Sequence, residues 1–270
     1  MKRSLYHLGG ILLISVYVAI LPCAAATEKP QLPEEQPADA LARSALSELD
    51  CVIGLPKQAE SELGRFALGD AHGFLHVFEQ RGQSYDEIWV SEYLESPIAG
   101  LFLADVNLDD LQELVAYTED GRIHFLDSAS YRTIWSNPPD EYESMSAMIL
   151  QNVDDDAQVE LLFVADRRLH IYDGRDQFEE WRSDQDNITA TEIILGDVDG
   201  DGSDEIVLND GFVFDARYRD LEWQSSEPFG ERIHLLDVDD DTIPEVIGEF
   251  QGRVLRIFDI DLRRMKAARR

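Results

Sequence analysis

A nine-residue acidic loop that recurs four times limits what this chain can fold into more than any other feature. Its clearest copy is Asp197-Val-Asp-Gly-Asp-Gly-Ser-Asp-Glu205. The others are Asp105-Val-Asn-Leu-Asp-Asp-Leu-Gln-Glu113, Asn152-Val-Asp-Asp-Asp-Ala-Gln-Val-Glu160 and Asp237-Val-Asp-Asp-Asp-Thr-Ile-Pro-Glu245. Each has Asp or Asn at positions one and three, Asp at five and Glu at nine. They start 47, 45 and 40 residues apart, so the chain is an internal repeat. Oxygens at alternate positions suit a hard cation: Ca²⁺ takes about six to eight of them from a flexible loop, and Gly202 at position six permits the sharp turn that folds the carboxylates inward.

Between the loops, short apolar runs bounded by Gly, Asp and Asn predict strands joined by tight turns. Leu114 to Tyr117, Arg122 to Leu126 and Thr133 to Trp135 make one set, with Asp120-Gly121 as a hairpin turn. Leu161 to Val164 with Leu169 to Tyr172, Ile206 to Leu208 with Phe212 to Phe214, and Val246-Ile247 with Val254 to Phe258 are its counterparts. A further strand leads into each loop, as Ile98 to Leu103 does. Trp89, Trp135, Trp181 and Trp223 lie 46, 46 and 42 residues apart, one per copy, and are expected to pack between neighbouring sheets. Trp89 also reveals an earlier copy, Phe66 to Leu68 with Phe74 to Phe78, in which Lys57, Ala59, Ser61 and Arg65 stand where ligands would fall.

Four strands in 40 to 47 residues is the size of a propeller blade. The sequence therefore predicts an all-β propeller of about five four-stranded blades over residues 49–262. The first blade lacks a metal loop. The chain after Asp259 reads as too short and too basic to finish the fifth, so an N-terminal strand at Leu49 to Ile53 is expected to close it. Residues 263–270 are left as a basic tail.

The loop Asp-Val-Asp-Gly-Asp-Gly followed by Glu-Ile-Val resembles the repeats of the FG-GAP and VCBS families, the calcium-loop propellers that include integrin alpha-chain head domains. The resemblance covers about Phe66 to Asp259. It implies Ca²⁺ held by side chains at positions one, three, five and nine. Those are Asp105, Asn107, Asp109 and Glu113; Asn152, Asp154, Asp156 and Glu160; Asp197, Asp199, Asp201 and Glu205; Asp237, Asp239, Asp241 and Glu245. Position six departs from the family's Gly at Asp110, Ala157 and Thr242, which predicts weaker binding there than in the Gly202 loop. An EF-hand is rejected because Leu208 stands at position twelve, where a bidentate Glu is required.

Residues 1–26 read as a secretory signal: Lys2 and Arg3, an apolar run from Leu8 to Leu21, then Ala24-Ala25-Ala26. The apolar run is shorter than the roughly 20 residues of a spanning helix, so the mature chain is expected to have no transmembrane span. Cleavage is favoured over lipid anchoring through Cys23, since Pro22 departs from the small residue that lipoprotein signals carry there. Residues 27–48 read as a linker with a short helix from Ala38 to Leu49. Cys51 is then the one remaining cysteine; no internal disulfide can form, and its apolar setting predicts a buried side chain.

With 23 basic against 55 acidic residues the formal charge is −32, which excludes nucleic acid as a partner. The loops hold 18 of the 55 acids, so the charge is concentrated where cations are wanted. No His-Glu-x-x-His, Cys-x-x-Cys, Gly-x-Ser-x-Gly or phosphate-cradling loop occurs, and His76, His124 and His170 occupy matching places in the repeat, as packing residues do. The chain reads as an exported module, periplasmic, secreted or at the cell surface, that binds a protein or glycan partner, with calcium mainly structural and no enzymatic activity. The alternative is a calcium-dependent enzyme or lectin-like protein acting on acidic polysaccharide.

Overall fold

The computed structural model describes residues 51–57, 63–154, 156–262 and 264–266. The expected signal, linker and short helix lie outside them. Among the described residues, no helix is long and apolar enough to cross a membrane.

Five four-stranded antiparallel sheets follow one another along the chain, each an up-and-down meander. Blade 1 holds β1 (Val52–Leu55), β2 (Arg65–Gly69), β3 (Leu75–Arg81) and β4 (Ser84–Val90). Blade 2 holds β5 (Ile98–Ala104), β6 (Glu113–Thr118), β7 (Ile123–Asp127) and β8 (Thr133–Ser136). Blade 3 holds β9 (Met145–Gln151), β10 (Glu160–Ala165), β11 (Arg168–Asp173) and β12 (Phe178–Arg182). Blade 4 holds β13 (Ile193–Gly196), β14 (Glu205–Leu208), β15 (Phe212–Asp215) and β16 (Leu221–Gln224). Blade 5 holds β17 (Arg232–Leu236), β18 (Glu245–Phe250), β19 (Val254–Asp259) and β20 (Arg264–Lys266). The first strands touch in succession, β1 with β5, β5 with β9, β9 with β13 and β13 with β17, which sets the blades around a common centre as a propeller.

Two expectations about closure are corrected. The N-terminal strand pairs with β2, not with the fifth blade: Val52 lies opposite Leu68 and Leu55 opposite Arg65. Blade 5 finishes itself with β20, within the segment read as a tail, where Met265 lies opposite Phe258. The cause is a phase error of one strand. The strand before each acidic loop is the first strand of the sheet that carries the loop, as Leu103 opposite Leu114 shows. Blade 5 therefore lacked one strand after Asp259, not two.

The core lies between blades. On β6, Leu114 and Ala116 face blade 1 while Val115 and Tyr117 face blade 3, the two-residue alternation of a strand. Both faces are covered, so β6 and β10 are buried along their whole length. Each tryptophan packs in one of the four inter-blade clusters, as expected. In every case it lies opposite the third strand, at Val77, Phe125, Ile171 or Val213, beside a register shift. A bulge at that place bends the outer strand and re-aims the indole. Cys51 is buried and its thiol donates to the Ile98 carbonyl at 3.2 Å, again as expected.

Candidate metal centre

Every acidic loop joins the first and second strands of its blade, so all four hang from the same end of the propeller. The glutamate at position nine is the first residue of the second strand. That placement carries Glu113, Glu160, Glu205 and Glu245 into the interior. One carboxylate oxygen of each, Oε2, accepts the backbone N–H of the valine at position two: Val106 at 3.0 Å, Val153 at 2.8 Å, Val198 at 2.7 Å and Val238 at 2.9 Å. The other oxygen, Oε1, is buried without a hydrogen-bond partner in Glu160 and Glu205. A buried carboxylate oxygen left in that state is costly unless a cation or a proton meets it.

Neighbouring acids deepen the need. Across the ladder Glu113 faces Asp127, Glu160 faces Asp173 and Glu205 faces Asp215. Like charges placed directly opposite destabilise a sheet. Those aspartates also brace the next turn: Asp127 Oδ1 accepts the Ser130 amide, Asp173 Oδ1 the Asp176 amide and Asp215 Oδ1 the Tyr218 amide. Aspartate recurs at the end of the third strand in the four blades that carry a loop, as in Phe-Leu-Asp127 and Phe-Val-Phe-Asp215, a signal that the sequence reading passed over.

Within the loops, backbone amides curl the chain around the carboxylates. Asp197 accepts from Gly200 at 2.7 Å and from Gly202 at 3.1 Å, Asp199 from Asp201 at 3.0 Å, and Asp201 from Ser203 at 2.7 Å. Asp105 and Asp237 accept from positions five and six or four and six in the same way. Three acids each offer an oxygen to a common point in three of the loops: Asp154, Asp156 and Glu160; Asp197, Asp199 and Glu205; Asp237, Asp239 and Glu245. Asp201 and Asp241 fall outside those groups of three. In the Asp105 loop the Asn107 amide donates to Asp109 at 3.2 Å and to Glu113 Oε1 at 3.3 Å, so its NH₂ stands where a cation would. Turning the amide over would offer its oxygen instead.

The electrostatics follow. Burial pushes the Glu205 carboxyl up to about 8, with Asp199, Glu222 and Asp197 adding repulsion against the Val198 hydrogen bond. Burial likewise lifts Glu160 to about 7 and raises Glu113. These residues fit a divalent oxygen-seeking ion: oxygen donors alone, one of them buried and unsatisfied, clustered on a bent loop.

Blade 1 meets the same need differently. Arg65 stands where the other blades place glutamate and is buried. Its guanidinium donates to Tyr131 Oη and to the Pro56 carbonyl at 2.5 Å and lies 5.8 Å from the Tyr131 ring centre. A fixed cation occupies the position; residues 58–62 of the preceding loop, with Ala59 and Ser61, lie outside the described residues.

The expected strain at position six holds for Asp110 (φ 68°) and Thr242 (φ 79°), while Ala157 does not share it. Position four is left-handed as well, at Leu108, Gly200 and Asp240, which the sequence reading did not anticipate. A β-branched residue at positive φ is a strained one. Thr242→Gly should stabilise the fold by about 0.5–1 kcal/mol, whereas Ala157→Gly should cost a similar amount. Urea midpoints of the two variants check the opposite signs.

His170 and His124 are buried. His170 stacks on Phe163 at 5.1 Å and contacts Glu179 at 2.6 Å, and burial holds His124 down to about 4.

The chain matches no protein-family model and no curated protein. Among solved structures it is similar to BBS1N, crystallised in complex with ARL6DN, at 14% identity and a TM-score of 0.56, over 82% of this chain and 67% of that one. It is similar to the biofilm matrix protein Bap1 of V. cholerae, at 15% and 0.53, over 79% and 38%. BamB from Moraxella catarrhalis aligns at 16% and 0.50, over 78% and 62%. At these identities the likeness is one of fold, a β-propeller. The chain spans 38% to 67% of the lengths of these proteins.

Proposed function

We propose that this is an exported propeller of the FG-GAP and VCBS kind that presents a rigid surface to a protein partner and is held together by calcium. The observation that carries the reading is the buried, unpartnered Oε1 of Glu160 and Glu205, each facing a second carboxylate. Four such loops on one end of the molecule make calcium a structural fastener at the start of each second strand. Positions one, three, five and nine of each loop would hold the ion, which supplies the positive charge the sheet lacks; none of these groups is then free for catalysis. Export rests on residues 1–26. A similar fold, BBS1N, was crystallised with a protein bound, which supports a scaffold role in general.

The test is affinity purification of the full chain from an exporting host, with calcium or with a chelator, beside Glu205→Gln. A protein retained in calcium, lost with chelator, and needing more calcium for retention in the variant supports the reading. Retention of glycan alone, or turnover of a uronic-acid polymer by the purified chain, would overturn it in favour of a polysaccharide-acting protein.

A further inference from the structure

Each of the four inter-blade interfaces joins the same two kinds of sheet face. A forward face, such as Val115, Ile123 and Phe125 of blade 2, meets a backward face, such as Leu161, Phe163 and Tyr172 of blade 3. Five blades in a row leave one face of each kind over. Among the described residues, no further blade covers the backward face of blade 1 or the forward face of blade 5. Among the described residues, β17 and β1 make no contact comparable to those between successive first strands, so the described parts of these two faces do not pack on each other.

Exposure shows the same at single residues. Val238 at position two of its loop is 43% exposed, where its counterparts Val106 and Val198 are 1% and 0%. Leu255 on β19 is 58% exposed, where Ile123 and Leu169 are 0%. Ile247 and Ile257 lie opposite each other on that same face and are half-buried. On blade 1, Phe66 is half-buried at the place taken by the fully buried Leu114, Leu161, Ile206 and Val246. It stacks on Phe78 at 5.0 Å and meets Tyr85 edge-on at 5.2 Å, an aromatic patch beside exposed Val52.

We propose that the occupant of each face is the other face on a second copy of this chain: blade 5 of one molecule docks on blade 1 of the next, continuing the inter-blade packing head to tail. The warrant is continuity, since the same two half-interfaces are already joined four times within the chain. An interface between unlike faces is heterologous, so copies add in a row until the rotation closes a ring. The formal charge of −32 opposes the approach of two copies, so association should strengthen with salt. The proposal does not rest on calcium.

Sedimentation velocity of the full chain over a concentration series, at low and high salt, reads the result. The wild type should form dimers and larger species, more so in salt. Leu255→Glu blocks the forward face and Val52→Glu the backward one; both sites are exposed, so the fold should stand, with an unchanged melting curve as the control. Each variant alone should associate at least tenfold more weakly. Mixed in equal amounts they should form a dimer and nothing larger, because each retains one working face. Val90→Glu, on the backward face opposite His76, replaces Val52→Glu if that variant fails to fold. A wild type monomeric throughout, a variant that still associates like the wild type, or a mixture that stays monomeric would each overturn the proposal.

Discussion

Stripping calcium from this protein should lower its melting temperature, and by more at pH 8 than at pH 5.5. Glu205 and Glu160 have folded-state pKa values raised from 4.5 to about 8 and about 7, first by burial and then by neighbouring acids. A raised carboxyl pKa means that the folded state holds its proton more tightly than the unfolded chain. The stability it contributes is whole below about pH 4.5 and drains away as pH rises through about 7 to 8. With chelator present, melting should therefore fall across that window. Calcium replaces the proton and binds the ionised form, so its effect grows with pH and flattens the decline. Ions held at about 10⁻⁴ to 10⁻³ M give roughly 0.4–1.4 kcal/mol per loop in millimolar calcium. Four loops then raise melting by about 5–15 °C at pH 8.

Glu205→Gln should keep the melting temperature of the chelated protein nearly level at its site and remove that loop's share of the calcium response. Asp201→Ala should remove more of the response than Asp156→Ala. The latter loop already has neutral Asn152 at position one, and the Arg219 guanidinium lies 3.8 Å from Asp154 as a competing cation. Thermal scans against calcium at the two pH values decide the matter. Identical curves with calcium and with chelator would leave the loops as acidic turns that bind nothing.

The largest single loss of stability should come from Phe163→Ala, at about 3–5 kcal/mol, or about 6–20 °C in melting. Phe163 is fully buried at the centre of the interface between blades 2 and 3, edge-on to Tyr142 at 5.3 Å and stacked on His170. Its ring is held from both sides by strands that cannot close over the gap, so the cavity term adds to the lost transfer energy. Leu262→Ala, at an exposed site, should change stability by no more than about 0.5 kcal/mol. Urea unfolding of both variants measures the contrast, and a loss below about 1 kcal/mol for Phe163→Ala would mean that the interface repacks.

Much of this was legible because repeats report spacing. The tryptophans and the loops located every blade, and the alternation of apolar residues located nearly every strand. Spacing does not report phase. Nothing in a 40-residue period says which strand opens a sheet, and an acidic loop this long does not look like the connection between two paired strands. That hid the partnership of Leu103 with Leu114, and with it the roles of Val52–Leu55 and Arg264–Lys266. The basic residues of β20 misled for a related reason: the outermost strand of a blade is an edge, where charge is tolerated and guards against pairing with another chain.

At the site, the clustering of acids could be read from the loops, since oxygen donors at alternate positions are a local pattern. The facing pairs Glu160 with Asp173 and Glu205 with Asp215 could not, because they depend on ladder register between strands 10 to 13 residues apart. Left-handed backbone at Leu108 was equally hidden, as leucine carries no turn signal.

Arg65 also bears on how the molecule assembles. The first blade carries its positive charge covalently and lends it to Tyr131 of the second, so this contact needs no bound ion. If the loops bind calcium as proposed, a chain made from its N-terminus would emerge with an ion-independent first blade, and each later blade would be added against a finished neighbour as its loop filled. Calcium would then set how far along the chain the ordered structure extends, not whether it begins.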